Sequence, residues 1–269
     1  MKKFIALALA LVMVLTLTFA LTGCKKTEEV ATTPVVEDLA KITDAGKMVI
    51  GITVYEPMNY EDENGDWTGF DTEFAQAVCE KLGVKPEFVV IDWDNKFLEL
   101  EANSIDCIWN GMTITDEVKL NADVSKAYVK NAQVVVMSAD KAKDIKSVDD
   151  LMGLSFAAEA GSAGEKAIQE NGLDENYVEC AAQTDALLEV KSGSADACVI
   201  DITMANSMTG EVTSYAELAS AIELTTEEYG IAFRKGSDLT EKVNSIMDEL
   251  KADGTLEELA KKYNLTLAF

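Results

Sequence analysis

In Asp106-Cys107-Ile108-Trp109-Asn110-Gly111-Met112-Thr113-Ile114-Thr115 a short apolar run meets a glycine, and two threonines follow. Residues 106–110 read as a strand that ends at Gly111. A residue without Cβ there lets another group approach the backbone closely. Asn110 and Gly111 bring backbone groups to the strand's carboxyl edge, and Thr113 adds a hydroxyl and an amide.

Outward from this strand the chain alternates in a regular way. Residues 48–54 form a β-branched run that predicts a strand. Residues 71–82 place Phe74, Ala75, Val78 and Leu82 on one helical face, with Gly83 as a stop. A second strand is predicted over 85–91 and a helix over 95–102. On the carboxyl side the cycle starts again: strands over 155–158, 177–181 and 197–201, with helices over 165–170 and 186–191 between them. Two further helices are predicted over 239–251 and 256–263, the last with Thr255 as N-cap. Strands alternating with helices imply right-handed βαβ units and a mainly parallel sheet. The fold class is therefore α/β in two lobes with a cleft between them. Ligands in such folds sit beyond the carboxyl ends of the strands.

The composition fits a folded chain of 269 residues, 48% hydrophobic and 26% charged with only 3 prolines. A net charge of −25 repels phosphate backbones and anionic headgroups, so nucleic acid is not an expected partner. Such acidity describes a well-solvated surface and does not by itself point to a cationic ligand.

The first residues read as a leader. Lys2 and Lys3 precede an uncharged run over 4–22, nearly long enough to be a membrane-anchoring helix. Leu21-Thr22-Gly23-Cys24 resembles a bacterial lipobox, which implies cleavage before Cys24 and its modification with diacylglycerol and acyl chains such as palmitate. Each buried methylene of those chains contributes about 0.8 kcal/mol to membrane attachment. Residues 1–23 are then a signal peptide and 24–42 a polar, flexible tether. Cys79, Cys107, Cys180 and Cys198 show no Cys-x-x-Cys spacing and read as buried free thiols, although their even number leaves disulfides open. No metal or cofactor is expected.

Several segments are similar to the polar amino-acid-binding proteins of ABC importers. Tyr55-Glu56-Pro57-Met58-Asn59-Tyr60 resembles the family's aromatic-x-Pro-aromatic turn. Residues 64–71, Asn-Gly-Asp-Trp-Thr-Gly-Phe-Asp, match its G-x-x-x-G-F-D segment. Ile91-Asp92-Trp93-Asp94 looks like its ligand-packing loop, and 106–115 its D-x-x-x-x-G-M-T-I-T signature. Gly161-Ser162-Ala163-Gly164-Glu165 stands in place of a G-T-T-x-E loop. Residues 195–201 resemble its D-A-x-x-x-D strand, and 252–263 its C-terminal helix. Seven matches in the right order span nearly the whole mature chain.

The resemblance implies a type II two-lobe binding-protein fold that closes by rotation about two crossings. Lobe one would be 43–136 plus 233–269 and lobe two 137–232. It implies a monomer that carries a small polar amino acid, or a related amine, to an importer permease on the extracytoplasmic side. The membrane contact would be through the lipid anchor alone. Asp201 takes the place of the ammonium-binding carboxylate. Thr113, Asn110 and Gly111 offer groups at the edge of the strand over 106–110, the amides of Ser162 and Ala163 favour an anion such as a carboxylate, and Tyr55, Tyr60 and Trp93 line the pocket. Closure would desolvate the ligand between Tyr55 and Trp93 of one lobe and Ser162 and Asp201 of the other.

One position departs from the family. Its signature continues to an arginine that grips the ligand carboxylate, and here the residue is Val118. The chain's single arginine is Arg234, near the second crossing. Two readings stay open. The carboxylate of an amino acid is held by Thr113, the amides of the Ser162 loop or a lysine such as Lys119, Lys126 or Lys130. Alternatively the ligand is an amine or a basic amino acid near Asp201 and Glu159. A ligand-presenting sensor is a further alternative. An enzyme is the less favoured class: the chain has no histidine, no phosphate-binding glycine loop and no G-x-S-x-G elbow.

Overall fold

The computed structural model describes residues 36–269. The expected leader, the lipidation site Cys24 and the tether as far as residue 35 lie outside the described residues. Residues 38–42 were expected to belong to that tether, but they form part of helix α1 (Asp38–Ala45). Asp38 and Ile42 are both buried, one by a pair with Arg234 and the other in the main core. That docking depends on residues far along the chain, so the segment's polar composition concealed it.

The first lobe is built on β1 (Lys47–Ile52), β4 (Lys85–Val90) and β5 (Cys107–Thr113), paired in parallel with β1 in the middle. A small antiparallel ladder, β2 (Tyr60–Glu61) with β3 (Trp67–Thr68), precedes helix α2 (Phe70–Leu82). A short α3 (Lys96–Glu101) leads into β5. After β5 come α4 (Asp116–Asn121), β6 (Asp123–Val124) and β7 (Val129–Asn131). Phe70, Phe74 and Val78 recur at helical spacing on α2 and are fully buried. Phe74 meets Trp109 edge-on at 4.8 Å, and Phe70 stacks on Tyr128 at 6.1 Å. Burying each such aromatic contributes about 1.5–3 kcal/mol, so this cluster anchors α2 to the sheet.

The second lobe starts with β8 (Gln133–Ser138) and continues through α5 (Ala139–Ala142), β9 (Phe156–Glu159) and α6 (Ala163–Glu170). It goes on with β10 (Tyr177–Cys180), α7 (Gln183–Ser192), β11 (Ala197–Asp201), α8 (Ile202–Met208) and β12 (Leu218–Glu223). Strand order is β10-β9-β11-β8-β12. The first three are parallel, and β8 and β12 add antiparallel. The chain then returns to the first sheet as β13 (Glu227–Phe233), antiparallel to β5, and ends with α9 (Leu239–Ala252) and α10 (Thr255–Lys262). Gly254, rather than the expected Thr255, caps α10; the Thr255 hydroxyl donates instead to Asp253 Oδ1 at 2.6 Å.

Sheet membership puts the two crossings between Asn131 and Gln133 and between Glu223 and Glu227. Both lie earlier in the chain than the expected 136/137 and 232/233. Neither β8 nor β13 is among the strands expected from sequence, and their pairing partners show where one sheet stops and the other begins. All four described cysteines are free and buried, with β9 separating the strand of Cys180 from that of Cys198. Among the described residues no helix is long and apolar enough to cross a membrane, and no cluster of acids and thiols is arranged to hold a metal ion.

Candidate functional site

The carboxyl ends of β5 and β11 face each other across a cleft that is closed down to a cavity of about 40 Å³. Trp93, Asn110, Gly111, Thr113, Ser162, Ala163 and Asp201 all line it. Tyr55 and Tyr60 are not brought to its wall. Tyr55 is buried beneath it: a Cβ on Gly111 would meet its ring at 2.6 Å, and Gly111 has φ +55°. Its hydroxyl bonds those of Thr203 and Tyr229, both at 2.5 Å, where the lobes join. Tyr60 faces a different concavity, with Lys130 and Thr203.

Asp201 stands at the end of β11 and is almost wholly buried. Side-chain amides surround its carboxylate. Asn131 and Gln133 donate to Oδ1, the latter at 2.8 Å, and Gln183 donates to Oδ2 at 2.5 Å. The same Asn131 and Gln133 amides also reach Glu227 Oε1, at 2.6 and 2.7 Å. Thr113 donates its hydroxyl to that oxygen at 2.7 Å. Burial raises the Asp201 pKa, and the nearby Glu227 charge raises it further, against the hydrogen bonds that favour the anion. A cation in this space is therefore favourable, because two carboxylates share two neutral amides at the junction of the lobes.

Other groups have their hydrogen bonds already committed. The Asn110 side chain ties β5 to the end of β1, accepting from Thr53 N at 3.0 Å and donating to Thr53 O at 2.9 Å, so only its backbone remains for the cleft. The Ser162 hydroxyl caps α6 by accepting from Glu165 N at 3.1 Å. The amides of Ala163 and Gly164 in the first turn have no partner among the described residues, and they lie at the positive end of the helix dipole. Glu159 is buried, with Oε1 unpartnered, and burial followed by the Asp201 charge pushes its pKa up to about 8.

The expected lysines do not reach this space. Lys126 pairs with Asp248 on the surface, and Lys119 and Lys130 are exposed. Lys96 and Lys166 line the cleft instead, as does Val118. Lys96 belongs to the first lobe, but its Nζ donates to Gly161 O of the second at 2.9 Å and to Trp93 O at 3.1 Å. Asp94 also packs on Gly161, whose missing Cβ would come within 2.7 Å of Asp94 Oδ1. Ser207 donates to Glu56 Oε1 at 2.9 Å across the same divide. The lobes are closed on each other.

The profile of bacterial extracellular solute-binding proteins, family 3, matches residues 48–266. The chain belongs to that family. It is 30% identical over 258 residues to the arginine-binding extracellular protein of Bacillus subtilis, covering 91% of this chain and 93% of that one. It is 28% identical to the L-cystine-binding protein of Escherichia coli K12, over 84% and 85% of the two chains. Among solved structures it resembles a mutant of the arginine-binding protein of T. maritima, with a TM-score of 0.78, 33% identity and coverage of 84% and 98%. A histidine-bound ABC uptake protein from Streptococcus pneumoniae gives 0.78 at 29% identity, over 84% and 96%. The architecture of this family 3 solute-binding protein is thus the type II two-lobe fold.

Sequence reasoning missed Gln183 and Lys96, which line this solute-binding protein's cleft, and Asn131, Gln133 and Glu227, which bond with and around Asp201. Asn131, Gln133 and Glu227 flank the two crossings, and locating the crossings earlier would have pointed to them. Gln183 opens α7 and shows nothing in sequence beyond being polar. Lys96 follows Trp93 by one helical turn, a spacing that puts its ammonium within 5.1 Å of the indole centre.

Proposed function

We propose that this chain is the capture component of an ABC importer, which closes its lobes over a small polar amino acid and presents it to the permease. The observation carrying the reading is the Asp201 carboxylate, held by three side-chain amides at the closing edge of two lobes. It is placed for a ligand ammonium, and a charge-assisted hydrogen bond there contributes about 1.5–3 kcal/mol. The free first-turn amides of α6 offer donors to a carboxylate. The relatives that bind arginine, cystine and histidine support an amino acid as the cargo. A calorimetric panel of the twenty amino acids and their descarboxy amines tests it, with binding of one or more amino acids expected. Binding of amines alone would favour the second reading, a carboxylate-free cation, which the unpartnered Glu159 oxygen and Val118 support.

The ligand is released unchanged in this reading, so mass spectrometry of the recovered solute after long incubation returns the input compound. One neighbour is described as the ancestral precursor of a dehydratase, and conversion of the bound compound would overturn a purely binding role. Attachment to the outer face of the membrane runs through acylated Cys24. A mass shift of the intact protein that disappears in Cys24→Ser tests this.

A further inference from the structure

The geometry points to Lys96 as the residue that grips the ligand's α-carboxylate in this protein, in place of the arginine that Val118 displaces. The inference rests on the amino-acid reading above. Lys96 is 6% exposed, and no carboxylate among the described residues comes within ion-pair distance of its Nζ. Buried ammonium groups are costly unless an anion compensates them. Here two backbone carbonyls take two of its three donors, leaving one N–H without a partner. Trp93 and Phe97 hold the ammonium over their rings at 5.1 and 5.0 Å, fixing its position. Burial lowers its pKa, and Glu117, Glu159, Asp94 and Glu165 favour its charge from farther off.

The other cations are committed or remote. Arg234 directs all of its donors to Asp38, Asp106 and the Leu100 and Ile105 carbonyls. Lys166 stands 3.8 Å from Glu170 on its own helix. Lys96 thus faces the cleft in which Asp201 waits for a cation, with opposite charges on the two lobes. Because its stem comes from the first lobe and its head bonds Gly161 of the second, a carboxylate there would be bound only when the lobes are closed.

The test measures L-arginine, L-histidine, L-glutamine and L-cystine, each against its α-carboxamide, on wild type, Lys96→Met and Lys96→Arg by calorimetry. The expected result is a loss of tenfold or more for the acids in Lys96→Met, with little change for the carboxamides and partial recovery in Lys96→Arg. Equal losses for acid and carboxamide would reduce Lys96 to a structural residue, and unchanged acid affinity would remove it from the site. Those two outcomes leave the amino-acid reading intact. If wild type binds amines and no amino acid, both inferences fall together. Melting curves of each variant exclude misfolding as the cause of a loss.

Discussion

Arg234 and Asp38, 196 positions apart, form a two-point pair in which Nε donates to Oδ2 at 3.0 Å and Nη2 to Oδ1 at 2.7 Å. Nη1 donates to the carbonyls of Leu100 and Ile105, at 3.1 and 2.6 Å, and Nη2 also approaches Asp106 Oδ1 at 3.3 Å. The chain's single arginine therefore fastens α1 to the end of β13 and to the turn before β5. It has no donor left for a solute.

Breaking this buried pair leaves uncompensated charge and orphaned carbonyls, so Arg234→Met should lower stability by about 3–5 kcal/mol. Arg234→Lys should recover little, because a point charge cannot reach five acceptor atoms. Urea unfolding measures both. Solute affinity of the folded fraction should stay within twofold of wild type; a selective loss of affinity would put Arg234 back in the site.

Asp201→Ala should weaken binding of the best amino acid from the panel at least tenfold, about 1.4 kcal/mol. Asp201→Asn should also weaken it while keeping the shape, because the ammonium then loses its charged acceptor. Isothermal titration reads both, and wild-type affinity in either would exclude Asp201 as the ammonium partner.

Gly161 faces Asp94 so closely that a Cβ would stand 2.7 Å from Oδ1 and 3.0 Å from Cα of Asp94, and its φ is +66°. Gly161→Ala should therefore hold the lobes apart. We expect a tenfold or greater loss of affinity and a larger radius of gyration with ligand in small-angle scattering. A ligand-bound radius equal to that of wild type would show that the contact does not limit closure.

Stability should fall as pH rises from about 5 to 8. Glu159 has its pKa raised by burial from 4.5 to about 8, and Asp71 from 3.8 to about 7, also by burial. Between those values the native chain keeps protons that the unfolded chain has released, so unfolding becomes easier with each step up in pH. Below the unfolded pKa values both states are protonated and the effect is absent. Glu159→Gln and Asp71→Asn should each flatten the dependence, read as urea midpoints across pH 5–8.5. An unchanged slope in both variants would place the titration elsewhere.

Asp71 also shows why a local motif has a structural basis. It sits in the first turn of α2, where its Oδ2 accepts from Gly111 N at 2.6 Å and from the Tyr128 hydroxyl at 2.9 Å. Asp71 is thus the contact that fixes the backbone of Gly111 at the cleft.

The sequence by itself determined the α/β alternation and its principal parallel strands and flanking helices, but not β8, β12, β13 or the short elements between; resemblance to the family pointed to Trp93, Gly111, Thr113, Ser162 and Asp201 at strand and helix ends. Those properties are local: side-chain period, glycine stops and turn residues act within a few positions of the chain. Tertiary structure alone decided which sheet β8 and β13 join, that Arg234 holds α1, that Tyr55 lies under the cleft, and that Lys96 reaches across it. The amides of Asn131, Gln133 and Gln183 become a site only when three elements bring them around one carboxylate. Burial and pairing between distant segments fix such partners, and the desolvation that gives Asp201, Glu159 and Lys96 their chemistry exists only once the lobes have closed.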